Sequence, residues 1–418
     1  MKQTLQLGTL SVANIGMAFL FQWYLFTQLG PGVQTDALFA GMTLPQLILS
    51  VISNSLMHVL VPLFAGESEE TLRHDAWGYT VLVAAMFSVI AALLYFTAPL
   101  WVSIVVPGFS QVALSLTVDL TRIQLIGMVF SAVNGVQWAA YHARGRFIYA
   151  EFSPIVANLV ALLLVSWVLP RYGIRGAAWI SSLRLAIQTI LLLPGIGKFV
   201  PLNLKRLSIK SAWDRIGPLL LGTTYYKTDP LVDRFLLSAS LSGNLSLYYL
   251  AQQIYGAINQ VLNKAIAAPM VPRLSTLYKA CDYAGFRQLY YKRLVQMSAV
   301  AVVSFVLIGA FGQFFLGLLI GHGRVSTDNV KDLWWILIWL GGMFIGGATG
   351  QITSTTFYAC GDTSTPTRMS MLTYTVYTPS KITAFYLWGV CGLAIATSIY
   401  LMANLISQLY FLKVKKIV

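Results

Sequence analysis

The stretch Trp213–Ser240, WDRIGPLLLGTTYYKTDPLVDRFLLSAS, is long enough to cross a bilayer, yet it carries Lys227, Asp229, Asp233 and Arg234. A hydrocarbon core of about 30 Å takes roughly 20 helical residues. Charge at that depth is costly unless it faces water or a partner. At about 100° per residue, Lys227 and Arg234 fall roughly 20° apart on a helix, while Asp229 and Asp233 lie about 40° apart on nearly the opposite side. One helix therefore offers cations to one compartment and carboxylates to another. Pro230 sits between them and removes a backbone hydrogen bond, which predicts a kink or hinge. The expectation is a helix that couples an anion-binding cavity to a separate ion- or proton-sensing site.

The rest of the chain has the same apolar character. Of 418 residues, 57% are hydrophobic and 10% charged, against roughly 25% charged in a soluble domain. Apolar runs of about 20 residues recur throughout, so the fold class is an all-α polytopic membrane protein. Twelve helices are expected, at roughly 8–29, 36–64, 78–106, 116–142, 151–169, 175–197, 213–239, 244–271, 294–320, 331–359, 366–387 and 389–412. An even count puts both termini on one side. Eighteen Lys and Arg then lie in loops on that side and four (Arg171, Arg175, Arg324, Lys331) on the other, which places both termini in the cytoplasm. The same rule accounts for the net charge of +14 without a nucleic-acid partner. Cys281, Cys360 and Cys391 have neither metal-ligand nor redox spacing. The first apolar run lacks a small-residue cleavage site and reads as a retained helix. No catalytic or nucleotide-binding motif is present, and His58 with Asn54 reads as a polar pair, so no enzyme activity and no cofactor are expected.

The chain also repeats itself. Ala143, Gly145, Gly173, Gly176 and Ser182 recur 216 residues later as Ala359, Gly361, Gly389, Gly392 and Ser398. Each copy ends a helix, turns at Gly, runs one helix and opens another at Gly-x-x-Gly. This predicts two six-helix lobes, at 1–200 and 213–418, joined by a basic amphipathic linker at 201–212. Halves of the same topology are related by an axis along the membrane normal and rock about a midplane site.

Setting loop charges aside, six cations remain at membrane depth: Arg122, Arg184, Lys227, Arg234, Lys264 and Lys381. Four acids join them: Asp36, Asp119, Asp229 and Asp233. Asp119 and Arg122 are three apart and suit a local pair. Asp36 follows Gly-Pro-Gly, so it either caps the second helix or enters the cavity. Arg184, Lys264 and Lys381 either snorkel or line the cavity. The excess of cations points to an anionic ligand, with phosphate the natural candidate. Asp229 and Asp233, one turn apart, cannot both stay ionised alone in a poorly solvated site. Either one takes a proton, or a monovalent cation sits between them, or Lys381 neutralises the pair. Thr373, Thr375, Thr378 and Thr383 are near enough in sequence to complete a coordination shell, although membrane threonines more often bond their own backbone.

Thr35-Asp36-Ala37-Leu38-Phe39 followed by Pro45 and Val61-Pro62-Leu63 resembles the second helix of MviN/MurJ-type lipid flippases. Gly145-Arg146-Phe147 with Pro154 and Asn158 is similar to their fourth-to-fifth helix turn, and Tyr248-Tyr249 with Pro269 and Pro272 to their eighth helix. The resemblance covers most of the chain and extends to the multidrug/oligosaccharidyl-lipid/polysaccharide exporter superfamily. It implies a V-shaped pair of lobes, alternating access, and flipping of a polyprenyl-pyrophosphate-linked sugar across the bacterial inner membrane. It also implies a cation site near the seventh and eleventh helices, where Asp229, Asp233 and Lys381 fall, and hence Na+ or H+ coupling. Where those flippases carry cavity arginines, this chain reads Phe21-Gln22-Trp23-Tyr24, Pro45-Gln46-Leu47-Ile48-Leu49-Ser50 and Ala251-Gln252-Gln253. A further helix pair that forms a tail groove in those proteins is not among the twelve.

The leading reading is therefore a flippase for a polyprenyl-linked anionic glycolipid. Lys227, Arg234, Arg122, Arg184 and Lys264 would meet phosphate, and Asp36, Gln46 and Gln252 would line the same site. The other readings are a cation-coupled multidrug antiporter, which would favour an acidic cavity, and a membrane scaffold for glycan-synthesis enzymes. Reporter fusions test the topology: a C-terminal green fluorescent protein should fluoresce and a C-terminal alkaline phosphatase should be inactive, and the reverse result would break the twelve-helix count.

Overall fold

Glycine and proline decide where the helices break. The computed structural model describes residues 2–201, 203 and 224–415, with the side chains of 2–5, 7, 53–55, 57 and 58 excepted. The linker at 201–212, the first half of the Trp213–Ser240 stretch and the His58–Asn54 pair therefore fall largely or wholly outside what is described. In order, the elements are α1 (Lys2–Leu29), α2 (Val33–Phe64), α3 (Glu69–Val105), α4 (Gln111–Ala143), α5 (Phe147–Ile196), α6 (Asp229–Ser238) and α7 (Asn244–Leu262). After a short π-helix, Asn263–Ala267, come α8 (Met270–Lys279), α9 (Tyr283–Ile320), α10 (Thr327–Trp339), α11 (Gly341–Ala359) and α12 (Ser364–Val414). Among the described residues, seven helices are long and apolar enough to cross a membrane, or eight if the bent pair α10–α11 counts as one span. The protein is an all-helical, multi-pass membrane protein.

Helix α5 has 50 residues and α12 has 51. At 1.5 Å per residue a straight helix of that length would run about 75 Å, more than twice the hydrocarbon thickness. Both are interrupted once, α5 at Gly173 (φ 58°, ψ −150°) and α12 at Gly389 (φ 60°, ψ −140°). That backbone region is essentially open to glycine alone. Each long element is thus two spans joined at one glycine, and the two glycines are the repeat partners read from the sequence. The likeness extends to side chains. Ser182 Oγ donates to the Ile123 carbonyl at 2.9 Å, and Ser398 Oγ donates to the Trp339 carbonyl at 2.6 Å. Donors and acceptors are both separated by the repeat interval.

Other boundaries also have local causes. Ser68 caps α3 by accepting from the Thr71 N–H, and Glu69 and Glu70 occupy the positive first turn. This draws the acidic segment into the helix and starts α3 earlier than apolar periodicity predicts. Asp36 does not cap α2. Gly32 holds that position, and Thr35 Oγ1 accepts the Gly32 N–H at 3.0 Å, which leaves Asp36 buried in the first turn. Pro230 lies at the start of α6, with helical residues 224–227 before it and a turn at Thr228, so the expected break falls just ahead of the proline. The π-helix ends two residues before Pro269, whose ring and missing N–H disrupt the regular ladder there.

Two compact units result, Met1–Ala239 and Ser240–Val418. By packing, the described part of the seventh helix counts with the first unit, whereas the sequence repeat places it at the head of the second half. A compact unit is defined by what a helix touches, and α6 touches α2 and α3. In the first unit, α4 packs against α2, α3 and α5, around Leu60, Phe64, Phe87, Leu125 and Val136. In the second, α11 packs against α9 and α12.

Gly389→Ala is expected to lower the stability of the detergent-solubilised protein by about 1–3 kcal/mol. Gly317→Ala, at a position where an added Cβ meets nothing within 4 Å, should leave it unchanged or slightly raised. Thermal unfolding monitored by intrinsic fluorescence distinguishes the two, and equal shifts would contradict the glycine-only hinge.

Candidate substrate site

Two cations of α6 and its preceding turn reach the same helix. Lys227 Nζ donates to the Ser50 carbonyl at 2.5 Å, and Arg234 Nε donates to Thr43 Oγ1 at 3.1 Å. The cations are seven residues apart, and so are their partners on α2, in the opposite direction. Seven residues are nearly two helical turns, so each set stays on one face. Thr43 in turn donates to the Phe39 carbonyl at 3.1 Å, which orients its oxygen toward the guanidinium. Asp36, a further seven residues back, is on the same face of α2 and is buried. Lys227 is half-buried, whereas Arg234 is only 2% exposed. The lysine is therefore the accessible member of the ladder, and the arginine is the member that ties α6 to α2. Asp233 is fully buried and Asp229 half-buried at the first turn of α6.

The remaining cations are dispersed. Arg122 does not pair with Asp119. Its Nε donates to the Tyr95 carbonyl at 3.2 Å and its guanidinium lies 4.8 Å from the Tyr95 ring centroid. Asp119 instead bonds Arg175 at 2.6 Å, because the neighbouring span brings a guanidinium closer than the helix's own turn does. Arg184 Nη1 donates to Asn158 Oδ1 at 2.7 Å, and Asn158 Nδ2 donates to Asn14 Oδ1 at 3.1 Å, a polar chain between α1 and α5. Gln46 and Lys264 are exposed, Lys264 within the π-helix, and Gln252 is half-buried. Arg122 bonds the backbone of α3 and Arg184 a side chain of the other span of α5. The sequence reading did not single out Thr43. Its spacing from Ser50 matches that of Lys227 from Arg234 and was the available signal.

In the second unit Lys381 is fully buried, with Nζ 5.0 Å from the Tyr377 ring centroid. It does not snorkel. Tyr377 stacks on Tyr400 at 4.3 Å, and the hydroxyls of Tyr377 and Tyr248 meet Thr397 Oγ1 at 2.8 and 3.0 Å. The aromatic faces are a favourable surrounding for a buried ammonium. Thr373, Thr375, Thr378 and Thr383 each donate to the carbonyl four residues earlier, so their hydroxyls serve the helix. Among the described residues, no three His, Cys, Asp or Glu side chains come together to hold a metal ion.

The fold is that of the multidrug/oligosaccharidyl-lipid/polysaccharide exporters. It superposes on a lipid II flippase MurJ in an inward closed conformation with TM-score 0.84 and 17% identity, covering 98% of this chain and 88% of that one. An inward-facing multidrug resistance MATE transporter matches with TM-score 0.75 and 14% identity, over 99% of this chain and 94% of the other. Within that fold, residues 25–418 match the family model described as lipid II flippase MurJ, and the chain belongs to that family. A probable lipid II flippase MurJ of Vibrio cholerae is 22% identical over 308 residues, 70% of this chain and 56% of the relative's own length. A probable lipid II flippase MurJ of Buchnera aphidicola is 21% identical over 396 residues, 90% of this chain and 76% of the relative.

Thr43→Val removes the acceptor of a buried guanidinium and is expected to cost about 1–3 kcal/mol in thermal unfolding. Lys227→Gln, at the accessible end, should cost clearly less. Equal losses would show that the two cations are not divided in this way.

Proposed function

We propose that this chain is a flippase that moves a polyprenyl-(pyro)phosphate-linked saccharide across the bacterial inner membrane by alternating access. Membership of the family carries the reading, and the ladder of Lys227 and Arg234 on α2 supports it. A half-buried ammonium held over a backbone carbonyl is a point charge ready to exchange that carbonyl for a phosphate oxygen. Arg234, already committed to Thr43, holds the helix that presents it. The arginine-free stretches at 21–24, 45–50 and 251–253 make Lys227 the leading phosphate contact and leave the glycan open between peptidoglycan precursor and another envelope saccharide. Asp229 and Asp233, with Lys381, are the proposed elements of Na+ or H+ coupling. Asp233 and Lys381 are both fully buried charged residues, costly to hold at membrane depth for packing alone, and this supports the reading.

The test is flux of fluorescent polyprenyl-pyrophosphate glycans in proteoliposomes, with native mass spectrometry of co-purified lipid to name the cargo. Lys227→Gln should lower flux about tenfold or more without lowering the melting temperature. Asp233→Asn should change the pH or sodium profile. Normal flux in the first variant removes the anion site, and an unaltered profile in the second removes the coupling role.

A further inference from the structure

The turn between α4 and α5 holds a second anion-facing feature, apart from the α2–α6 ladder. Gly145 turns the chain with φ 68°, and Arg144 and Arg146 flank it. The turn joins two membrane-spanning helices, so it lies at a membrane face. A cleft of about 490 Å³ opens there, lined by Tyr141, Arg146, Phe147, Tyr149, Phe152 and Gly195 among others. That volume is within the range of about 300–1,000 Å³ typical of small-ligand sites.

The cleft is built rather than incidental. Tyr141 and Tyr149 stack in parallel at 5.4 Å, and the Tyr149 hydroxyl donates to the Leu191 carbonyl at 3.0 Å. Tyr141 lies so close to Gly195 that a Cβ at that position would meet its ring at 2.0 Å, so only glycine permits this wall. Arg144 Nη1 bonds the Gly195 carbonyl, which fixes one guanidinium at the end of α5. Its Nε is buried with no hydrogen-bond acceptor among the described residues. Arg146 is exposed at the mouth. The nearest acid in sequence, Glu151, accepts from Ser11 of α1.

Beyond the arginines the wall turns apolar and outward. Phe147, Ile148, Tyr149 and Phe152 are all exposed, on a helix that continues into the membrane. The chemistry is thus cationic at the membrane face and aromatic to apolar toward its interior. A soluble anion would use only the first part and a neutral lipid only the second. An anionic phospholipid uses both, with its phosphodiester at Arg146 and its acyl chain along Phe147 and Phe152.

We propose that this cleft is a binding site for an anionic phospholipid of the surrounding leaflet. It is separate from the proposed transport site, and its test does not depend on flux.

The experiment is native mass spectrometry of the full-length protein released from nanodiscs of phosphatidylcholine doped with phosphatidylglycerol. The wild type should retain phosphatidylglycerol in preference to phosphatidylcholine. Arg146→Gln should lower that retention about fivefold, the usual effect of one interfacial cation, with an unchanged melting temperature. Arg171→Gln, at the other end of the first span of α5 and stacked over Trp167 at 4.0 Å, should leave retention unaltered. Equal retention in wild type and Arg146→Gln would overturn the proposal. So would equal retention of the two lipids, which means nonspecific annular contact. Displacement of the lipid by millimolar inorganic phosphate would identify a soluble-anion site instead and overturn the lipid assignment.

Discussion

A charge placed at membrane depth must find its partner inside the protein, and much of this structure follows from that constraint. In hydrocarbon no water compensates an exposed polar group, so backbone pairing has to be internal and charges have to be held. Arg234 is almost completely buried and is held by Thr43, which is itself anchored to the backbone of α2. The same requirement turns the threonines of α12 back onto their own helix and sets the Lys381 ammonium over the Tyr377 ring. Each buried cation thereby also becomes a packing device, because the group that satisfies it fixes where its helix must lie.

The repeated architecture shows how one local solution serves twice. Gly173 and Gly389 adopt nearly the same conformation, one that a side chain would strain, and each lets a continuous chain turn between two spans. Ser182 and Ser398 then make equivalent bonds to Ile123 and Trp339. Internal repeats of this kind are the usual basis of alternating access in secondary transporters. The halves have since diverged in their polar content. The first unit carries the α2–α6 ladder and the second a buried lysine beside Tyr377.

The family match and the site chemistry bear on different questions. The match assigns the chain to the lipid II flippase MurJ family. The residues bear on how such a cargo would be met here, without arginine in the three stretches where the resemblance places it. In the proposed site the accessible Lys227 is braced by the buried Arg234, whose Nε is held by Thr43. The basic and aromatic cleft at the α4–α5 turn follows the same logic at the membrane face, where exposure to water makes the arginines cheaper to hold.

Composition, hydrophobic runs and the interval between repeated glycines were enough to read a helical membrane protein in two related halves, because lipid solvent permits so few alternatives. The seven-residue spacing of Lys227 and Arg234 was equally legible. Tertiary structure decided what periodicity cannot address, namely which groups from distant segments meet. Asp119 found Arg175 rather than Arg122, and Arg122 and Arg184 met Tyr95 and Asn158 on neighbouring spans. In each case the partner comes from a neighbouring span and not from the adjacent turn of the same helix. The pairing of Lys227 with Ser50 and of Arg234 with Thr43 likewise depends on how α6 lies against α2, a matter of packing that no single helix records.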